Sequence, residues 1–342
     1  MQEPKTDVAI IGAGPIGLEL AVALKRKGID YLHFDAKQIG YTISWFAPQT
    51  RFFSSTERIA IAGVPLQTAD QSKATREEYL AYLRGVVQQF DLQVQTYCPV
   101  VAIENVGDEF GITVAPASGR RCVRAKRIAL CTGGTDRPRK LNVPGENLPH
   151  VSHYFNDPHV YFRKRLLVVG GKNSAVETAL RCHQAGAKVA LSYRQDRLDP
   201  RSIKYWLLPE INGLISEGKI AGHFKSQPVG ITPSSVRLQR GDETVSVDVD
   251  FVLLQIGFEQ DTTLLKLAGV ELDGTCQMPT FDEQTMETNV PGVYVAGTAV
   301  GGTQDKYRVF IENCHVHIDR IMAALTGAAP PTPPPAIALP ES

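Results

Sequence analysis

The sequence predicts an α/β protein in which one strand–glycine turn–helix–strand unit is used twice. Two observations carry this. A short apolar run, Asp7 to Ile11, leads directly into Gly12-Ala13-Gly14-Pro15-Ile16-Gly17 and then into a helical pattern. The same order returns with Arg165 to Val169, the turn Gly170-Gly171-Lys172-Asn173-Ser174-Ala175, and a helix from Val176 to Ala185. Alternating strands and helices of this kind build parallel sheets with the helices on their faces.

Taken in order, Leu18, Leu20, Ala21, Val22 and Leu24 carry the first helix to Gly28, a helix stop, and Tyr31 to Asp35 is the next strand. A looser stretch, Ile39 to Leu66, precedes an amphipathic helix that starts near Thr75, with Glu77 and Glu78 in its first turn. Val100–Val106, Gly111–Ala117 and Cys122–Arg127 alternate like a β-meander, and Ile128 to Cys131 is a separate buried strand ending in Thr132-Gly133-Gly134. In the second unit Gly186 stops the helix, Val189 to Tyr193 is the following strand, and Phe251 to Gly257 closes the unit. Val293 to Gly297 is one more buried strand, and Asn313 to Leu325 is the final helix. The five prolines between Pro330 and Pro335 belong to a tail that cannot build a packed core.

The chain has 342 residues, enough for two domains, and 43% apolar with 21% charged residues is ordinary globular composition. Lys plus Arg and Asp plus Glu are 36 each, so net charge gives no reason to expect nucleic acid or an anionic membrane as partner. No apolar run reaches the roughly 18–20 residues of a membrane span, and no basic-then-apolar leader opens the sequence, so a cytoplasmic protein is expected. Its six cysteines form no CxxC pair. His150, His153 and His159 cluster without a zinc-type spacing, and no metal is expected.

The first glycine turn has the chemistry of a dinucleotide site of the Rossmann type. Gly12 permits the tight turn, Gly14 lets backbone approach a pyrophosphate, Gly17 lets helix and strand pack, and Asp35 can bond a ribose diol. The helix start adds N–H groups and partial positive charge. In the second turn Lys172 stands where a middle glycine is usual. Its second strand ends in Tyr193-Arg194 rather than an acid, and Arg194, with Arg197 nearby, favours the 2′-phosphate of NADPH over the 2′-hydroxyl of NADH.

Together with Thr132-Gly133 and Tyr294-Val295-Ala296-Gly297, this arrangement resembles the two-domain flavoprotein reductases of the thioredoxin reductase type, over nearly all of residues 5–326. Five further strings are similar to the bacillithiol-disulfide reductase family: Arg51–Glu57, Val151–Phe155, Gly170–Val176, Ser202–Trp206 and Val309–Asn313. The resemblance implies two Rossmann-like, three-layer ββα domains, FAD and NADPH as cofactors, and a homo-oligomer, dimer or tetramer. It implies an FAD domain of residues 1–136 plus 258–327, an NAD(P)H domain of 137–257, and a disordered tail from 328. On the FAD side it implies Gly12, Gly14, Pro15, Ile16, Gly17, Asp35, Ala36, Gln49, Val100, Thr132, Gly133, Gly297 and Thr298. There, Tyr307-Arg308-Val309-Phe310 would open the last helix, its N–H groups facing the flavin. On the NADPH side it implies Gly170, Gly171, Lys172, Asn173, Ser174, Arg194 and Gly257.

Two departures bear on mechanism. His150 to Leu167 holds no cysteine, so the thioredoxin reductase CxxC is missing, and Ile16 stands where the bacillithiol-type family has a cysteine. A flavin that reduces a disulfide normally works through a thiolate. Cys131 and Cys182 read as core, Cys98, Cys122 and Cys276 as inert, and Cys314, on the last helix beside His315, is the one candidate catalytic thiol. The favoured expectation is an NADPH-dependent reductase of a low-molecular-weight disulfide or a small redox protein. A ferredoxin- or flavodoxin-NADP reductase needs no protein thiol and is the alternative. A flavin monooxygenase lacks its Phe-x-Gly-x3-His signature here, and an FAD-holding NADP(H) sensor is the reading from outside catalysis.

Overall fold

The computed structural model describes residues 3–304 and 308–329. The chain divides into two compact units: residues 1–44, 49–137 and 259–342 in the first, and 45–48 with 138–258 in the second.

In the first unit β1 (Lys5–Ile11) runs into α1 (Pro15–Lys27) and β2 (Tyr31–Phe34). Gly28, at φ 66°, ends α1 in the left-handed conformation that glycine adopts without a Cβ penalty. The helix buries Leu18, Leu20, Ala21, Val22 and Leu24, each Leu contributing about 1.5–3 kcal/mol on leaving water. The amphipathic helix is α2 (Arg76–Gln89), and a capping box between Thr75 and Glu78 fixes its start. β3 (Val94–Gln95), β4 (Val100–Val106), β5 (Glu109–Val114) and β6 (Arg121–Leu130) follow. The meander is antiparallel, β4 to β5 to β6. The expected break at residue 127 is absent: β6 is one strand, its first half pairing with β5 and most of its length pairing in parallel with β1.

In the second unit β7 (Val151–Ser152), β8 (Arg165–Val169), α3 (Asn173–Gln184), β9 (Lys188–Tyr193), α4 (Leu208–Ser216) and β10 (Ala221–Phe224) precede the meander β11 (Gln227–Ile231), β12 (Ser235–Arg240) and β13 (Glu243–Asp248). β14 (Phe251–Leu254) returns to the sheet, whose order is β10-β9-β8-β14-β7, with all pairings parallel. α3 starts three residues before the expected Val176, because Lys172 is extended and serves as its N-cap. Trp45–Pro48 joins this unit: the Trp45 ring lies 5.2 Å from Tyr154 and 4.7 Å from Phe258, and Arg181 donates to the Pro48 carbonyl at 2.6 Å. The expectation that the whole first stretch belongs to the FAD domain fails at these four residues, since their aromatic and carbonyl partners are distant in sequence.

The first unit closes with β15 (Val293–Val295), parallel to β6, and α5 (His315–Thr326), which packs on α1. The last helix therefore begins at His315, after a 3-10 turn over Ile311–Asn313, and not at residues 308–310. Gly327 stops it at φ 68°, and the Ala328 N–H donates to the Ala323 carbonyl, so Ala328 belongs to the helix stop rather than to a tail. Residues 330–342, with the prolines, lie outside the described residues, as does Tyr307.

Candidate functional site

The glycine turn of the first unit is set by close approaches that only glycine permits. Gly12 sits at φ 109°, and a Cβ there would fall 2.3 Å from the Cys131 carbonyl oxygen. A Cβ on Gly17 would fall 2.0 Å from the Gly12 carbonyl oxygen, so α1 leans directly on the turn. Nothing in the protein lies within 4 Å of the Cβ position of Gly14, which leaves this face open. Gly14 caps α1 without a side chain and Pro15 follows, so no side chain occupies the helix start. Asp35 grips the turn: one carboxylate oxygen accepts from the Ala13 N–H at 2.6 Å, the other from Lys37 N–H at 2.7 Å. Burial pushes its pKa up. Each oxygen keeps a lone pair for a ribose hydroxyl.

Thr132-Gly133-Gly134 and Gly297-Thr298 are clipped together. The Gly134 N–H donates to Thr298 Oγ1 at 3.0 Å, and among the described residues the Thr298 hydroxyl proton has no acceptor. Gln260 Nε2 donates to the carbonyls of Gly133 and Ala299. Thr132 Oγ1 is buried without a hydrogen-bond partner among the described residues, an opening that a bound polar group would fill. The residues thus fit an adenine dinucleotide: an open pyrophosphate face, a carboxylate at the ribose position and an unsatisfied hydroxyl. Ile16 is buried and packs against Gly297, whose Cβ position is 3.3 Å from the Ile16 Cβ.

Sequence reasoning missed two buried histidines. His33 Nε2 lies 2.9 Å from the Gly12 carbonyl oxygen, and burial drives its pKa down to about 4. His317 Nδ1 accepts the Gly297 N–H at 3.2 Å, and burial likewise lowers it to about 4. Both rings are neutral and hold backbone of the turns. Isolated histidines in strand and helix patterns carry no local signal of that role.

Ala36 is exposed just beyond Asp35, and Val100 opens β4, two residues after Cys98, whose N–H bonds the Asp35 carbonyl. Gln49 sits instead at the start of α2, its N–H on the Glu77 carboxylate. Arg308, Val309 and Phe310 differ from expectation more sharply. The N–H groups of Arg308 and Val309 donate to Gln304 Oε1, and that of Phe310 to Asn313 Oδ1. These donors are spent inside the protein, because the segment is an extended lead-in and not a first helical turn.

Cys131 and Cys314 are buried thiols whose surroundings disfavour the thiolate. Cys314 is fully buried and its thiol donates to the Phe310 carbonyl at 2.9 Å; burial pushes its pKa far up. Cys131 is pushed up to about 12 by burial. The expected candidate Cys314 is therefore a core thiol. His153 is nearly buried, 3.5 Å from Glu146, and no cluster able to hold a metal occurs among the described residues.

In the second unit Gly170 sits at φ 140° with the Gln255 carbonyl oxygen 2.4 Å from its Cβ position, and the Tyr193 ring lies as close to that of Gly171. Lys172 and Ser174 are exposed at the start of α3, which no side chain caps. Asn173 turns inward: its Oδ1 accepts the Lys204 N–H at 2.6 Å, and Lys204 Nζ pairs with Glu177 at 3.0 Å. Arg194 lines an open cavity of about 270 Å³ at the end of β9. Gly257, at φ 94°, follows β14 on the same side of the sheet as Gly170. An exposed helix start that no side chain caps, with Lys172 at its N-cap, fits a phosphorylated dinucleotide.

Residues 9–297 match the family described as pyridine nucleotide-disulphide oxidoreductase. The chain belongs to that family. It is an oxidoreductase, and its cofactors are FAD and NADPH. Over 317 residues it is 36% identical to the bacilliredoxin reductase Bdr of Bacillus subtilis, covering 92% of this chain and 96% of that one. The ferredoxin–NADP reductase of Ignicoccus hospitalis is 27% identical over 85% of this chain and 89% of its own. Among solved structures, the bacillithiol disulfide reductase Bdr from Bacillus cereus superposes with a TM-score of 0.90 at 34% identity, over 94% of this chain and 99% of that one. The thioredoxin reductase of T. acidophilum, 20% identical with a TM-score of 0.73 over 95% of this chain and 99% of that one, shares the fold of this family member.

Proposed function

We propose that this oxidoreductase reduces a disulfide of the bacillithiol type, free or carried on a small redox protein, at the expense of NADPH. Each turnover takes up one proton and converts one disulfide and one NADPH to two thiols and NADP+. The supporting observation is the near full-length similarity to bacilliredoxin and bacillithiol disulfide reductases at 36% and 34% identity. When bound, the flavin supplies the two-electron relay between nicotinamide and acceptor. Gly12, Gly14, Gly17, Asp35, Thr132 and Thr298 would hold it in the first unit, and Gly170, Gly171, Lys172, Ser174 and Arg194 would hold NADPH in the second. In this reading the enzyme acts in the cytoplasm as a homo-oligomer, and no helix among the described residues is long and apolar enough to cross a membrane.

Ile16 favours a second reading. With an aliphatic side chain at the position of the family cysteine and Cys131 and Cys314 buried as thiols, transfer to a ferredoxin or flavodoxin needs no missing group. Anaerobic titration with NADPH and NADH, following the flavin band, tests the cofactor sites first. The reduced protein is then offered bacillithiol disulfide, a bacilliredoxin mixed disulfide, ferredoxin and flavodoxin. Disulfide-driven reoxidation outpacing the one-electron carriers supports the first reading; the reverse order establishes the second. Rapid bleaching with slow reoxidation by every acceptor would make the protein an NADP(H) sensor.

A further inference from the structure

The cavity beside Arg194 contains a second cation that the sequence did not single out. Its lining is Arg194, Lys225, Ser226, Gln227, Gln239 and Gly241, with two cations and no acid. It lies within the second unit, at the carboxyl ends of β9 and β10, where the second strand of a dinucleotide fold meets the adenosine ribose. Lys225 does not reach this place as a loose surface residue. Its N–H donates to the Gln195 carbonyl at 2.9 Å, and the Ser226 N–H donates to the Tyr193 carbonyl at 3.1 Å, so both residues flanking Arg194 are bound to this turn. Ser226 is anchored in turn by Ser192 at 2.9 Å and by the His223 carbonyl at 2.7 Å. Lys225 also sits at φ 51°, in the left-handed region that a long side chain rarely adopts.

We propose that Lys225 is a specificity-determining residue that binds the 2′-phosphate of NADPH together with Arg194, the two cations lining one cavity. The inference rests on the NADPH reading of the second unit.

The test uses the full-length flavoprotein with Lys225→Asn, which keeps a residue tolerant of positive φ, and Lys225→Arg, which keeps the charge. Binding of 2′,5′-ADP and of 5′-AMP is measured by calorimetry, alongside KM and kcat for NADPH and NADH. Loss of one charged phosphate contact corresponds to a roughly ten- to hundredfold weakening. The expected result is that loss for 2′,5′-ADP and in KM for NADPH in Lys225→Asn, little change for 5′-AMP, and retention in Lys225→Arg. Equal effects on both nucleotides, or no effect on either, overturn the role of Lys225. A parent protein that binds 2′,5′-ADP no better than 5′-AMP overturns the NADPH reading itself.

Discussion

The imidazole Nε2 of His33 stands 2.9 Å from the carbonyl oxygen of Gly12, at the base of the first glycine turn. The same carbonyl would be 2.0 Å from a Cβ on Gly17, so one oxygen is held from below by a strand histidine and covered from above by the helix. The neutral Nε2–H tautomer is the one that donates to it. Replacing His33 by Leu leaves this carbonyl unpaired and should cost about 1–3 kcal/mol. Urea unfolding checks the loss, and weaker retention of FAD on gel filtration should accompany it.

The two buried histidines also set an acid limb. His33 and His317 are lowered to about 4, whereas an unfolded histidine titrates near 6.5. Between those values the unfolded chain binds protons that the native protein does not, so the stability each contributes is present above about pH 6.5 and lost as pH falls toward 4. Asp136, raised by burial to about 6, has the opposite sign and offsets one of the two. Asp35, also raised by burial, acts in the same sense as Asp136, so the histidine contribution is read from a variant and not from the net stability. The contribution of His33 is isolated by His33→Gln, which keeps a donor and does not titrate. The stability difference between parent and variant should shift in favour of the variant by a few kcal/mol at most from pH 7 to pH 4.5, measured by urea midpoints.

Gly14 and Gly17 should separate binding from folding. Nothing in the protein meets a Cβ on Gly14, so Gly14→Ala should fold with a loss of no more than about 1 kcal/mol. Its methyl would point into the face where backbone approaches the pyrophosphate, and FAD affinity should drop at least tenfold. Gly17→Ala must push α1 away from β1, costing about 3 kcal/mol or more, and should lose flavin and stability together. Flavin fluorescence on dilution and thermal melts of both variants decide this; equal behaviour would refute the division of labour.

How legible these features were in sequence follows from their range. Gly12, Gly17 and Asp35 were readable because a tight turn and a terminal acid impose residue types at fixed short spacing. The helix start near Thr75, with Glu77 and Glu78 in its first turn, was readable for the same reason. The lead-in to α5 was misread because Gln304 and Asn313 capture its N–H groups, and side-chain capture of backbone has no periodic pattern. Trp45–Pro48 was misassigned because its partners, Tyr154, Phe258 and Arg181, lie more than a hundred residues away. Lys225 was overlooked because only the pairing of β9 with β10 brings it to Arg194.

Ile16→Cys restores a thiol at the position packed on Gly297. Removing the extra methylenes should cost about 1–2 kcal/mol, so the variant remains folded. Bleaching by NADPH should be unchanged, because hydride arrival does not involve this side chain. Turnover with a bacillithiol-type disulfide should rise at least tenfold, since an attacking thiol is supplied where the parent has none. Stopped-flow bleaching and steady-state disulfide turnover measure the two separately. Unchanged turnover would mean that electrons leave by a route that bypasses this position.

The Lys204–Glu177 pair gives the last prediction. The two side chains are 7% and 17% exposed and 3.0 Å apart, and the Lys204 backbone is tied to Asn173 on the first turn of α3. Removing one partner leaves the other charge without its ion pair in a poorly solvated site, at a cost of about 3–5 kcal/mol. Glu177→Ala should therefore destabilise the second unit strongly, and Lys204→Met should do so by a similar amount. The double variant, Glu177→Ala with Lys204→Met, removes both charges and should recover part of the loss, because the desolvation penalty disappears with the pair. NADPH affinity should follow, since Asn173 and Lys204 hold the start of α3 in place, whereas FAD content should stay near the parent value. Thermal unfolding of the four proteins, with flavin absorbance recorded beside NADPH titration, measures both. Additive losses in the double variant would show that the two residues act independently and that the pair does not brace the helix start.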